Sequence, residues 1–319
     1  MLMNTHPVRF GIQTGQQGVE WATMLELWQN VEKWGYDSLW NFDHFYAIFV
    51  DPATPCLEGW TTLSALAQAT TKIRIGHLVN GNTYRHPCIT AKMAVSLDHI
   101  SGGRLNLGIG AGWFELEHRS FGLDFKTVRG RLEALEESLQ IIKGMVGGER
   151  VSIEGKHYTV SEAFCNPQAL QDGGPPIMIG GHGRKILLRI VAQYADMWNA
   201  NLDPPAMGEL IEVMRAHGDA VGRDVDEIEK TVMLPLVYTA DTEKQTFMCE
   251  LLSGLAEDVS PQQMRERMMI GETQECLDKI EAYVAAGVTH FIFMTFAPYN
   301  SEEIQAFAEN VIPALRASA

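Results

Sequence analysis

Stretches of alternating or continuously apolar residues recur along this chain, and each is followed by a stretch whose apolar positions return every three or four residues. Residues 8–13 read as a strand. Trp21, Met24, Leu25, Trp28 and Val31 then mark one face of a helix that Gly35 ends. Residues 37–42 and 61–70 repeat the pair, as do residues 73–79 and 89–100. Leu105, Leu107 and Ile109 carry a fourth strand, and Leu132, Leu135, Leu139 and Ile142 a fourth helix. Further strands fall at residues 177–181, 197–201, 231–238 and 290–296. Their helices lie at residues 185–194 and 210–221, around Leu277, Ile280 and Val284, and around Ile304, Phe307, Val311 and Leu315. Strands alternating with helices and no break in composition predict one α/β domain over residues 1–319, a (β/α)8 TIM barrel. A doubly wound open sheet with a small second domain is the competing arrangement, and it needs a linker that the chain does not show.

The rhythm is interrupted by insertions after strands two, four and seven. Residues 43–59 and 239–271 directly follow strands, so they open on the face that carries the catalytic loops of such barrels. The second is rich in methionine (Met248, Met264, Met268, Met269) and reads as a lid or as a peripheral packed helix pair. Residues 151–160 alternate about a Glu-Gly-Lys turn and predict a hairpin. That hairpin comes beyond the fourth helix, which places it on the face away from the catalytic loops.

Charge and cysteine usage narrow the function classes. A formal net charge of −15 argues against a nucleic-acid partner, because binding a phosphate backbone needs a basic stripe. A hydrophobic fraction of 46% supports a large core and excludes intrinsic disorder. The five cysteines are scattered, without a C-x-x-C, as expected of reduced thiols in a cytoplasm; they give neither a metal site nor a disulfide framework. The N-terminal residues lack an apolar leader core, and no run of about 18 apolar residues occurs, so a cytoplasmic protein without a membrane span is expected.

In a barrel, the residues that follow the eight strands share one mouth. Here they include Gln13, Asp43, His44, Asn80, Gly81, Asn82, Gly110, Ala111, Gly112, Trp113, Gly180, Gly181, His182, Gly183, Asn199 and Asn201. This set holds no Ser-His-Asp combination and no pair of carboxylates placed for glycoside chemistry, and His44, His77 and His86 lack metal-ligand spacing. A mouth rich in amides and glycines but without its own reactive group suits a bound organic cofactor. Gly108, Gly110 and Gly112 read either as a bland turn or as space for something flat or charged to approach the backbone. Their G-x-G-x-G spacing departs from the dinucleotide fingerprint. Gly180-Gly181-His182-Gly183, followed by Arg184 and Lys185 at a helix start, offers free amides and a positive helix end to an anion, with a plain strand-to-helix turn as the alternative.

Several blocks, in order, carry a resemblance to a known family. They are Gly35-Tyr36-Asp37-Ser38-Leu39-Trp40 with Asp43-His44-Phe45, Gly81-Asn82-Thr83-Tyr84-Arg85-His86-Pro87, Ser101-Gly102-Gly103-Arg104-Leu105 through Gly110-Ala111-Gly112-Trp113, and Pro176-Ile177-Met178-Ile179-Gly180-Gly181. Nearly the whole chain resembles the luciferase-like monooxygenase superfamily, and within it the branch of F420-dependent oxidoreductases. The resemblance implies a deazaflavin cofactor, coenzyme F420, with FMN as the alternative, a small-molecule substrate and a homodimer. It implies that His44 hydrogen-bonds a carbonyl of the cofactor ring or handles a proton, with Asp43 orienting it. It also implies a non-proline cis peptide at Leu78-Val79 or Val79-Asn80, bulging against the cofactor ring. Leu78, Val79, Asn80, Gly110, Ala111 and Gly112 would then serve the ring, and Gly180, Gly181, His182 and Gly183 the phosphate. Arg119, Arg184 and Lys185 are candidates for the acidic tail of F420, while Asn82 and Arg85 serve the mouth or are a turn amide and a surface ion pair.

One departure matters. The sugar-phosphate dehydrogenases of this superfamily carry a glutamate where Trp113 stands, which argues against a sugar-phosphate substrate. Glu115 and Glu117 either stand in for it or are solvated acids. Trp113, Trp60, Glu58 and Gln13 are expected to line the substrate side. The expected function is hydride transfer between F420 and an organic substrate. A reduced-FMN-dependent monooxygenase and a non-catalytic flavin-binding protein are the alternatives.

Overall fold

The computed structural model describes residues 6–256 and 258–318; the five N-terminal residues, which carry the expected absence of a leader, lie outside it. Among the described residues eight strands close a parallel barrel: β1 (Arg9–Thr14), β2 (Ser38–Asn41), β3 (Arg74–His77), β4 (Leu105–Gly110), β5 (Ile177–Gly180), β6 (Met197–Ala200), β7 (Glu229–Tyr238) and β8 (His290–Thr295). Each pairs in parallel with the next, and β8 returns to β1 over Arg9↔His290 to Thr14↔Thr295. The expected TIM-type architecture is therefore present.

Strand residues point alternately out and in, and the sequence obeys both sides. Outward residues such as Phe10, Ile12, Leu39, Ile75, Leu107, Ile179, Trp198, Val232 and Phe293 pack into the apolar layer beneath the surrounding helices. Inside, Trp40, Met178, Met197 and Ile292 form a separate apolar plug. Trp40 is fully buried, and Gly76 faces it because a Cβ there would lie 2.6 Å from the indole ring. Below the plug the barrel is sealed by polar groups. Trp40 Nε1 donates to Ser38 Oγ at 2.8 Å, Ser38 Oγ lies 2.8 Å from His290 Nε2, and Arg9 pairs with Glu229 at 3.3 Å. The opposite end, where the strands finish, is the mouth.

The insertions shape that mouth. The loop after β2 lacks regular structure, and β4 is followed by a short helix, Glu115–Phe121, before the long helix Val128–Val146. The expected hairpin forms from Val151–Glu154 and Thr159–Ala163. Its placement needs a correction: the backbone amides of Lys156, His157 and Tyr158 donate to Glu137, His157 Nδ1 lies 3.0 Å from Lys126 Nζ, and the Tyr158 ring meets His86 at 5.4 Å. Its tip therefore climbs the long helix toward the mouth instead of staying on the opposite face. In the region of residues 239–271, helices Thr242–Ser253 and Pro261–Glu266 share their own core of Val237, Cys249, Leu252, Met264, Met268 and Ile270. Lys279 Nζ donates to the carbonyls of Arg265 at 2.7 Å and Met268 at 2.9 Å. The packed pair, one of the two readings of this segment, is what the structure contains.

Candidate active site

The loop after β2 is held by side chains that imitate a β-ladder. Gln16 Nε2 donates to the Phe42 carbonyl at 2.7 Å and Gln16 Oε1 accepts from the Phe42 amide at 3.3 Å. Gln17 does the same for Ile48, at 2.8 Å in both directions. Between these two clamps stand Asp43 and His44.

His44 is buried, and its Nδ1 lies 2.9 Å from Glu117 Oε2. Glu117 is fully buried on the short helix Glu115–Phe121. Its other oxygen accepts from the amides of Phe45 at 2.6 Å and Tyr46 at 2.8 Å, and the Tyr84 hydroxyl donates to Oε2. Burial pushes the Glu117 carboxyl up, but the hydrogen bonds from His44, Tyr84 and Tyr46 outweigh it and hold the group below the usual carboxylate range. An ionised carboxylate can only accept, so His44 donates from Nδ1, and whenever the ring is neutral this leaves a lone pair at Nε2. Nε2 has no partner among the described residues. Reading Glu117 as a solvated acid is thus overturned: a seven-residue helix carries it under the loop instead of out into water.

Asp43 does not orient His44. Its Oδ2 accepts from the Gly81 amide at 3.1 Å and from Arg85 Nη1 at 2.7 Å. Arg85 reaches on to Glu58 at 3.0 Å, so it is a half-buried bridge between two acids and not a surface ion pair. Glu58 is also taken, because it caps helix Gly59–Ala69 through the amides of Trp60 and Thr61. Trp60 is 3% exposed and packs on His77 with ring centroids 4.7 Å apart, which makes it core instead of a wall of the mouth. The expected substrate roles of Glu58 and Trp60 are corrected accordingly.

His77 ends β3 fully enclosed, and neither ring nitrogen has a hydrogen-bond partner among the described residues. Burial lowers its pKa from 6.5 to about 4. A group depressed in this way contributes stability that is complete above pH 6.5 and is lost as the pH falls toward 4. We expect the unfolding free energy to drop by about 2 kcal/mol between pH 7 and pH 5 from this residue alone. Urea midpoints of the wild type and a His77→Phe variant across that range measure the difference; equal slopes would exclude it.

Beyond His77 the chain leaves β3 through a cis Leu78–Val79 peptide and pairs again at Asn80–Gly81, alongside Ile109 and Gly110 of β4. The Val79 side chain reaches over the neighbouring strands. A Cβ at Gly108, Gly110 or Gly180 would lie 3.0–3.1 Å from its methyl groups, and at Gly108 it would also collide with the His77 carbonyl. A Cβ at Gly112, whose φ is +80°, would meet Thr83. The space left by these glycines is therefore taken by the protein's own chain, which corrects the expectation that a ligand approaches the backbone there. The result is a smooth platform with Val79 on top. Asn80 Nδ2 ties the platform to the Gly108 carbonyl at 2.6 Å, and its Oδ1 is buried without a partner.

After β5, Gly181 adopts φ +122°, and its carbonyl accepts from Trp198 Nε1 at 2.7 Å. The following helix begins at Leu187 instead of residue 185, with Ile186 in the cap position and no side-chain cap. His182, Gly183, Arg184 and Lys185 are exposed, and their amides donate to nothing among the described residues. An open helix start preceded by free amides is a cradle for an anion. Arg184 is already paired with Glu209 at 2.7 Å, whereas Lys185 has no such partner among the described residues.

Across the mouth, β1, β8 and the loop after β2 enclose a cavity of about 150 Å³. Gln13, Phe42, Ile48, Phe49, Met294 and Phe296 are among the residues lining it. Trp113 is 54% exposed, stacks on Phe49 with an interplanar angle of 16° and meets His44 edge-on at 5.5 Å. Gln13 thus lines the cavity, and Trp113 stands beside it against Phe49. Phe49, Tyr84, Gln16 and Gln17 were not foreseen as parts of the site. The adjacent glutamines and the Tyr84 within Thr83-Tyr84-Arg85 are visible in the chain, but nothing in their spacing tells which loops they join.

A flat apolar platform beside an anion cradle, with a histidine held through Nδ1 at the same barrel mouth, suits a phosphate-bearing ring cofactor and a small substrate. The chain is 26% identical over 340 residues to an F420-dependent glucose-6-phosphate dehydrogenase of Kineococcus radiotolerans, covering 99% of this chain and 100% of that one. It is also 26% identical over 324 residues to the oxygenase component of a flavin-dependent trigonelline monooxygenase of Acinetobacter baylyi, covering 91% and 87%. In fold it is similar to a solved F420-dependent secondary alcohol dehydrogenase, with a TM-score of 0.86 at 22% identity over 98% of this chain and 100% of the other. The family model described as luciferase-like monooxygenase matches residues 3–246. The chain belongs to the luciferase-like monooxygenase family.

Proposed function

We propose that this chain is an F420-dependent oxidoreductase that moves a hydride between the deazaflavin and a small organic substrate. The carrying observation is the pairing of two surfaces in one mouth: the Val79 platform with its uncapped glycine loop, and the His44–Glu117 pair. F420-dependent relatives that match over nearly the full length support the cofactor. Homodimer assembly and a cytoplasmic location belong to the same proposal.

The residues present fit the group. The open amides of His182 and Gly183 would hold its phosphate, Val79, seated over Gly108, Gly110 and Gly180, would bear on the ring, and Lys185 has no ion-pair partner among the described residues to keep it from an acidic tail. Bound there, F420 supplies a ring carbon that takes or gives a hydride. The protein's share is proton handling and positioning. As a carbinol carbon gives up its hydride, its O–H bond breaks and Nε2 of His44 accepts the proton; in the reverse direction Nε2 returns it to the carbonyl oxygen. Glu117 keeps Nε2 free for this, and the aromatic rim excludes water.

FMN shares the ring shape and phosphate, and the flavin-dependent relative supports it as the second reading. Titration of the purified protein with F420 and FMN separates the two. We expect F420 to bind in the micromolar range or tighter; FMN binding without F420 binding would overturn the proposal, and oxygen consumption with reduced FMN would establish the monooxygenase.

A further inference from the structure

Resting on that reading, we infer that the substrate is an uncharged, largely apolar alcohol or ketone, held by the Gln13 carboxamide and selected by the Phe49–Trp113 rim. Gln13 is 5% exposed, lines the cavity, and its side-chain amide has no hydrogen-bond partner among the described residues. Open to the cavity and bonded to no protein group, this amide keeps its hydrogen bonds for water or a ligand. It offers one acceptor and two donors and no charge, which matches a hydroxyl or carbonyl oxygen.

The surroundings argue against an anion. Phe42, Ile48, Met294 and Phe296 are apolar, and no lysine or arginine lines the cavity among the described residues. Two guanidinium groups near the cavity are committed. Arg85 serves Asp43 and Glu58, while Arg131 donates to the Gly112 carbonyl and lies 4.1 Å over the Phe125 ring. The remaining charge nearby is negative, from Asp43, Glu58 and Glu117. A phosphorylated substrate would enter without a counter-ion, and burying it so is strongly unfavourable. The rim is placed deliberately: Phe49 has φ +63°, a conformation bulky residues rarely adopt, and the Gln17–Ile48 clamp holds it where its ring stacks on Trp113. Backbone strain that puts an exposed phenyl ring at a mouth is explained by an apolar ligand passing beneath it.

The test is calorimetric titration of the protein, with and without F420, using cyclohexanol, its 4-methyl to 4-butyl homologues, and glucose 6-phosphate. Affinity is expected to rise about three- to fourfold per methylene, with no binding of glucose 6-phosphate. Gln13→Leu should weaken every alcohol by about three- to tenfold. Phe49→Ala should weaken the butyl homologue about fivefold more than it weakens cyclohexanol. A flat homologue series, or glucose 6-phosphate binding as tightly as cyclohexanol, would overturn the substrate class. Loss of F420 binding with the alcohol series intact would remove the cofactor reading alone.

Discussion

Replacing Glu117 with glutamine is expected to lower kcat by about 10²–10³-fold while KM and the affinity for F420 stay within about threefold of wild type. The carboxylate accepts four hydrogen bonds, from the amides of Phe45 and Tyr46, the Tyr84 hydroxyl and His44 Nδ1. An amide has one oxygen to offer, and its NH2 group must face donors. The least costly answer is for His44 to reverse its tautomer, so that Nδ1 accepts from the amide and Nε2 carries the hydrogen. Nε2 can then no longer take a proton from a substrate. Tyr84 cannot compensate by ionising, because its burial, which the variant keeps, pushes its hydroxyl above the ordinary tyrosine range. Circular dichroism and a thermal melt separate this loss from misfolding, and steady-state kinetics across pH 6–9 read the rate. A kcat within fivefold of wild type would show that His44 does not act through this pair.

Gly108→Ala is expected to destabilise the fold by about 3 kcal/mol or more, lowering Tm by roughly 5–10 °C and weakening F420 binding. The added methyl would strike the His77 carbonyl, which is backbone, and press on Val79 at 3.1 Å. Flexible side chains can move aside; a carbonyl at the end of a barrel strand cannot without shifting β3. Displacing Val79 would also tilt the platform proposed to bear the cofactor ring. Gly208→Ala is the control. It lies within helix Pro204–Val221, its new methyl would stand an ordinary 3.7 Å from Ala286, and helix propensity predicts a neutral or slightly stabilising effect. If both variants melt together, the close packing around Val79 does not govern stability.

The barrel was legible because its strands are buried on both faces and its helices on one, so each type writes its own period into the chain. The start of the helix after β5 was misplaced by two residues because the glycine loop ends without a capping side chain, the usual marker. The site was harder. Sequence pattern found the glycines at 108, 110 and 112 and read them as a turn or as space for a ligand, but the side chains that fill the gap, Val79 and Thr83, come from the segment after β3. Glu117 was misread for a related reason. Seven helical residues are too few to show a buried face, and the groups that enclose the carboxylate lie more than 30 positions away at Tyr84 and more than 70 at Phe45 and Tyr46.

The paired clamps of Gln16 and Gln17 bear on how the enzyme meets its substrate. A loop of this length would ordinarily sample many shapes and surrender that freedom on each encounter, lowering affinity by the entropy lost. Stitched at Phe42 and Ile48 by side chains that copy a strand's hydrogen bonds, it gives up that freedom once, when the chain folds. The bowl is thus ready before anything arrives, and selectivity between rival compounds rests on fit to a standing shape instead of on a closing motion.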